Sequence, residues 1–258
     1  MNNLREERLG EIRRNKYGTP MKIIRYDNSK NIWIKFLDEY GIEKHTDYQS
    51  FERGNTLNPY NKTICGIGYI GKTSTIDSDG KHKKSYICWK SMFVRCYSEK
   101  KQKKHSSYKM CIVCKEWYNY ANFEKWYNEN YYEIEDKKIQ LDKDILKKGN
   151  KEYSPETCMF VPQRINSLFT KCNNARGELP IGVTYNKKMK KYEARLSMFR
   201  NNKTITKYLG LFITPEEAFQ IYKAAKEAYI KEVAEEYKNR IPEKLYDVLI
   251  NYEVEWDD

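Results

Sequence analysis

The sequence predicts an α+β chain: a small N-terminal β-module, a central ββα core, and a C-terminal three-stranded sheet backed by one helix. Three observations predict it. Between residues 20 and 52, β-branched and aromatic runs are split by a cluster of turn formers. Between 141 and 166, an acid-bearing strand, a turn, a return strand and an amide-bearing helical segment follow in order. Beyond 178, three short strand patterns precede a helix with a strong start signal. The expected domains are 1–62, 63–172 and 178–258, a division that suits a chain of 258 residues.

In the first module, Met21 to Tyr26 and Ile32 to Phe36 read as strands. Asp27-Asn28-Ser29-Lys30-Asn31 between them is a hairpin signal. Gly54-Asn55 and Asn58-Pro59 punctuate its end. In the middle, Trp89, Phe93 and Cys96 recur at helical spacing and predict a helix over 86–97. A second, over 121–128, presents Phe123, Trp126 and Tyr127 to a core. Gly66-Ile67-Gly68-Tyr69-Ile70-Gly71 lacks the strand–loop–helix context of a nucleotide loop and is not read as one.

Cys172 to Gly177 reads as a linker. Past it, strands are expected over 181–185, 192–196 and 206–210. Thr214 then serves as N-cap, Pro215 as first helical residue and Glu217 as capping-box partner, ahead of an apolar face of Ala218, Ile221, Tyr222 and Ala225. A last helix over 242–252 turns Leu245, Val248 and Leu249 inward.

Charge points to a polyanionic partner. The chain carries a net +12, and neutralising phosphates releases condensed counterions. The surplus is concentrated: ten basic residues against one acidic over 81–110, and eight against one over 182–208. The tail from 233 is acidic. Tyrosines number 23 against 14 Phe plus Trp, a composition of folded chains. No apolar run reaches the roughly 18 residues a membrane span needs, the first residues lack a signal-peptide core, and seven irregular cysteines point to a reducing compartment. The expectation is a cytoplasmic protein that binds double-stranded DNA, with no membrane partner and no small-molecule substrate indicated.

The segment that carries chemistry is Leu141-Asp142-Lys143-Asp144, then Gly149-Asn150, Ser154-Pro155-Glu156, Phe160-Val161 and Asn166. A ββα unit of this kind holds one hard divalent cation between a carboxylate and an amide oxygen, leaving positions for phosphate and water. Leu141 to Asn166 resembles the ββα-metal core of HNH nucleases as found in bacteriophage homing endonucleases. The resemblance extends upstream through Trp89, Arg95-Cys96, Val113-Cys114, Trp117 and Phe123. It implies Mg²⁺ or Mn²⁺ held by Asp142 and Asn166 in a bacterial host cell. The position next to Asp142, a histidine base in that family, is Lys143, which would act as a base or a transition-state stabiliser. In the second case, Asp144, His82 or His105 would supply the base.

Gly182-Val183, Tyr192-Glu193-Ala194-Arg195, Tyr208-Leu209-Gly210-Leu211-Phe212 and Thr214-Pro215-Glu216-Glu217-Ala218 resemble the AP2 domain, a three-stranded sheet laid in the DNA major groove and backed by a helix. Strand alternation offers Lys188, Lys191, Arg195, Arg200, Lys203 and Lys207 for phosphate and base contacts. Lys83, Lys84, Arg95 and Lys104 would line the backbone beside the ββα core. Cys111-Ile112-Val113-Cys114 has the spacing of a zinc knuckle, with Cys96 and Cys158 as further ligands; the alternative is cysteines packed as small hydrophobes. The expected function is a site-specific DNA endonuclease using one divalent metal. Its rivals are a non-catalytic DNA-binding regulator or inhibitor on a degenerate HNH core, and a structured-RNA binder.

Overall fold

Ser29 and Lys30 alone turn the first hairpin. In this computed structural model, which describes residues 3–169, 178–200 and 203–258, Asn28 pairs with Asn31 across the turn, and the Asn28 side chain accepts from the Lys30 amide at 2.9 Å. After a short helix, α1 (Asn3–Arg8), the module is larger than the two predicted strands. It is an antiparallel meander of β1 (Ile12–Arg14), β2 (Pro20–Asn28), β3 (Asn31–Phe36) and β4 (Glu43–Thr46), followed by α2 (Tyr48–Glu52). Alternation places Ile32, Ile34 and Phe36 in a core with Met21, Ile23 and Phe51. The added strands are short and polar, which is why no hydrophobic period marks them.

The chain divides into two compact units. The first comprises 1–129 and 151–154, the second 130–150 and 155–258. Past the meander, the first unit holds α3 (Lys84–Tyr97), α4 (Glu99–Lys104), β5 (Ile112–Val113) and α5 (Tyr120–Asn130). β5 pairs in parallel with a later two-residue strand, β7 (Glu152–Tyr153). Trp89, Phe93 and Cys96 are buried as expected, as are Phe123 and Tyr127. The Trp89 indole donates to the Trp117 carbonyl at 2.7 Å. Gly68 lies beneath it, where a Cβ would meet the indole at 3.0 Å. That glycine answers to ring packing.

The second unit begins with β6 (Ile139–Asp142), antiparallel to β8 (Met159–Pro162), with α6 (Gln163–Ser167) directly after. A three-stranded sheet of order β11-β10-β9 follows, formed by β9 (Val183–Asn186), β10 (Lys191–Arg200) and β11 (Lys203–Phe212). The predicted linker over 172–177 lies outside the described residues. Helix α7 (Pro215–Tyr237) starts as predicted: Glu217 N–H donates to the Thr214 hydroxyl at 3.2 Å, and the Glu217 carboxylate accepts from the Thr214 amide. Ala218 and Tyr222 face inward, but Ile221 is exposed and Phe219 takes its place in the core. Helix α8 (Glu243–Ile250) buries Leu245 and Leu249. One buried cluster runs from Ile134 and Val161 through Leu196 and Tyr229 to Val254. The ββα segment and the sheet–helix segment therefore share a core in one unit. The structure is α+β.

Candidate nucleic-acid interface and metal centre

Asp142 closes β6 opposite Met159. One carboxylate oxygen, Oδ1, accepts from the amides of Asp144 at 2.8 Å and Ile145 at 2.7 Å, and so shapes the turn that leaves the strand. Oδ2 has no hydrogen-bond partner among the described residues. Burial pushes the Asp142 carboxyl above the usual carboxylate range, against the pull of those two amides. Asn166, on α6, donates from Nδ2 to Gln140 Oε1 at 3.0 Å. Gln140 and Asp142 share one face of β6 by alternation, so Asn166 stands over the face that carries the acid. Its carbonyl oxygen has no protein partner among the described residues.

Lys143 turns the other way and is buried, with 6% of its surface exposed. Its ammonium donates to both oxygens of Asp144 at 2.7 Å and to the Asn150 carbonyl at 2.6 Å. The Asn150 side chain closes the loop by donating to the Lys143 carbonyl at 2.9 Å. A base needs a lone pair facing a water, and here the nitrogen spends its protons holding the 143–150 turn. The structure therefore places Lys143 as an anchor of the turn that Asp142 begins.

The donors at the turn suit a hard cation. An anionic oxygen and an amide oxygen are the kind of partial protein shell that Mg²⁺ accepts while keeping waters and substrate phosphates. The cysteines are a different case. Cys96 and Cys111 are buried in the first unit, Cys114 is half-buried there, and Cys158 is buried in the second. The Cys111 thiol donates to the Ser107 carbonyl at 3.6 Å. Among the described residues no three His, Cys, Asp or Glu side chains gather as metal ligands.

The sheet has one face on α7 and one open. Ala194, Leu196 and Met198 of β10 are buried beneath it; Arg195, Ser197 and Phe199 face out. Their partners on β11 are Tyr208, Thr206 and Thr204, all exposed. The outer surface is thus rich in hydroxyls, with two exposed rings and a guanidinium. Arg195 is ion-paired with Glu193, which also accepts from Asn186. Lys191 shares this parity, and Lys188 is exposed in the β9–β10 turn.

Three predicted contacts fall on the opposite parity. Between Ala194 and Arg195 the register slips: Ala194 pairs with Gly210, but Arg195 pairs with Tyr208, leaving Leu209 as an extra residue. This bulge shifts the phase of β11. Lys207 pairs with Leu196 and Lys203 with Arg200, so both lie on the helix side, where strand alternation without a bulge had put Lys203 and Lys207 outside. Arg200 reaches α7, donating to Glu232 at 2.6 Å.

In the first unit, Lys84 and Lys104 are exposed. Lys83 is bound at 2.9 Å to Glu124. Burial opposes ionisation of Glu124, yet hydrogen bonds from Thr73, Lys83 and Tyr120 together hold its carboxyl below the usual range. Arg95 is half-buried beside the Tyr153 and Ser91 hydroxyls, at 3.5 and 3.3 Å. These two cations brace the unit.

No family model, no curated protein and no solved structure matches this chain. Sequence reasoning missed Gln140, whose signal was its place two residues before Asp142 on the same strand. It also missed the hydroxyl-rich display of Thr204, Thr206 and Tyr208, which the bulge conceals.

Proposed function

We propose that this chain is a DNA-binding endonuclease of the HNH type, with an AP2-like sheet presenting its open face to duplex DNA and a ββα turn hydrolysing a phosphodiester bond with one divalent metal. The observation that carries the reading is that Asp142 Oδ2 and Asn166 Oδ1 both lack a partner among the described residues, with Asn166 tied through Gln140 to the strand face that carries the acid. Asp142 and Asn166 would hold the ion, and Gln140 orients the Asn166 amide. A bound Mg²⁺ or Mn²⁺ supplies charge stabilisation to the scissile phosphate. Arg195, Lys191 and the hydroxyls around them would set the register on the duplex. Among the described residues no helix is long and apolar enough to cross a membrane.

The second reading, a DNA-binding regulator or inhibitor without activity, has its own observation. Lys143 stands where the base belongs and is committed to Asp144 and Asn150. Incubation of the full chain with supercoiled plasmids carrying a random-sequence library separates the two. Nicking or linearisation that needs Mg²⁺ or Mn²⁺, stops with a chelator and is absent in Asp142→Asn supports the endonuclease. Retention of duplex with no cleavage under either metal would leave the binding platform.

A further inference from the structure

Helix α7 carries a charged residue in the middle of its buried stripe. Ala218, Tyr222, Lys226, Tyr229, Val233 and Tyr237 are all buried and follow one another at helical spacing. Lys226 is 9% exposed, and its amine has no hydrogen-bond partner among the described residues. Burial pulls that amine down to about 8, with the Asp258 carboxylate opposing.

Lys226 lines a half-open cavity of about 560 Å³ in the second unit. Two further polar groups on its wall are buried without a partner: the Tyr237 hydroxyl and Arg164 Nε. Met198, Leu168 and Pro162 supply apolar wall, while Lys137 and Lys138 add charge against Asp136 among the lining residues. Unsatisfied buried donors are costly and rare. Solvent reaches these groups through the open side, but a wall that is largely apolar gives such water few further partners. The volume lies in the range of ligand sites, roughly 300–1,000 Å³.

We propose that this cavity binds one nucleotide, its phosphate at Lys226 and Arg164 and its flat base against Met198 and Leu168. An anion is called for by the Lys226 amine and by Arg164 Nε, the nitrogen that the guanidinium leaves unpartnered while its terminal nitrogens engage Glu236 and the Phe199 carbonyl. A planar, largely apolar body is called for by the walls. The inference does not depend on the cleavage reading, because the nucleotide has two sources: a free nucleoside monophosphate, or one residue of a bound strand.

Calorimetric titration of the full chain with each deoxynucleoside 5′-monophosphate, alongside the same nucleosides without phosphate and inorganic phosphate alone, tests it. The expected result is saturable one-site uptake of the monophosphate, weakened at least tenfold in Lys226→Met, which keeps the stem and drops the charge, with an unchanged or raised melting temperature. Should Lys226→Met fail to fold, Tyr237→Phe decides, removing only the hydroxyl, with an expected several-fold loss. Displacement of the monophosphate by duplex would assign the pocket to a nucleotide of bound DNA; simultaneous binding would assign it to free nucleotide. No uptake of any monophosphate by the wild type, or equal uptake by a folded variant, overturns the proposal and leaves a water-filled cavity.

Discussion

The Lys143 ammonium lies 2.7 Å from each carboxylate oxygen of Asp144, and the two residues are neighbours in sequence. The lysine is buried and the aspartate half exposed, so the pair anchors the 143–150 turn from within while one partner stays in water. Replacing Lys143 by Met removes its hydrogen bonds to Asp144 and to the Asn150 carbonyl and should cost about 1–3 kcal/mol of stability. Urea denaturation of the full chain reads this directly. A variant as stable as wild type would mean that the anchor contributes nothing.

The proposed reading gives Asp142 two tasks that substitution can separate. Asp142→Asn keeps an oxygen for the Asp144 and Ile145 amides and removes a carboxylate that burial disfavours. The variant should fold at least as well as wild type and lose metal-dependent cleavage. Asp142→Ala should lose both, with roughly 0.5–1.5 kcal/mol for each backbone bond given up. Melting temperature and plasmid nicking, measured side by side, distinguish them.

The same carboxyl sets a pH dependence. Its folded-state pKa is raised, so the fold takes up a proton before the unfolded chain does. The contribution of this group to stability therefore grows as pH falls through the raised value, and is level below the ordinary carboxylate range near 3.9. A divalent ion needs the ionised form, so metal affinity should rise with pH over that window. Titrating Mn²⁺ binding from pH 4 to 7 should show the rise in wild type and none in Asp142→Asn.

On the sheet, Arg195 and Lys207 should behave differently despite similar exposure. Arg195 lies on the open face and Lys207 on the helix parity. Arg195→Ala should weaken duplex binding by roughly 1–3 kcal/mol if it reads a guanine, and unevenly across sequences. Lys207→Ala should give a small loss, uniform over sequences. Equal profiles for the two variants across a panel of duplexes would contradict the face assignment.

Gly182 adopts φ +76°, and a Cβ there would sit 2.0 Å from the Tyr222 ring. Gly182→Ala should destabilise the second unit by at least about 1–3 kcal/mol, because both the backbone region and the ring oppose it. Thermal unfolding of the variant is the measurement.

Local signals carried the reading furthest. The capping box at Thr214 and Glu217 is written in four consecutive residues, and the first hairpin in one run of turn formers, so both were legible. The added strands β1 and β4 were not, since their stability comes from pairing with neighbours and their side chains show no period. Lys143 could be matched to a position in a motif, but its burial depends on the chain curling back to bring Asn150 within reach. Lys226 was legible in principle: it falls four residues after Tyr222 and eight after Ala218, on a stripe otherwise apolar. Asp142 and Asn166 could be matched to motif positions. Gln140, the contact that orients the second of them, carries no motif of its own.

Leu209 acts as a phase shifter for the hairpin it interrupts. With the extra residue accommodated, Thr204, Thr206 and Tyr208 look outward, and the displayed surface of β11 is neutral and hydroxylated. Were the bulge ironed out by a slip of one residue, Lys207 and Ile205 would turn outward and Thr206 and Tyr208 inward, because side chains alternate with a period of two. The same ten-residue strand therefore encodes two surfaces, one suited to hydrogen bonding and one to charge, and a single spacer residue chooses between them.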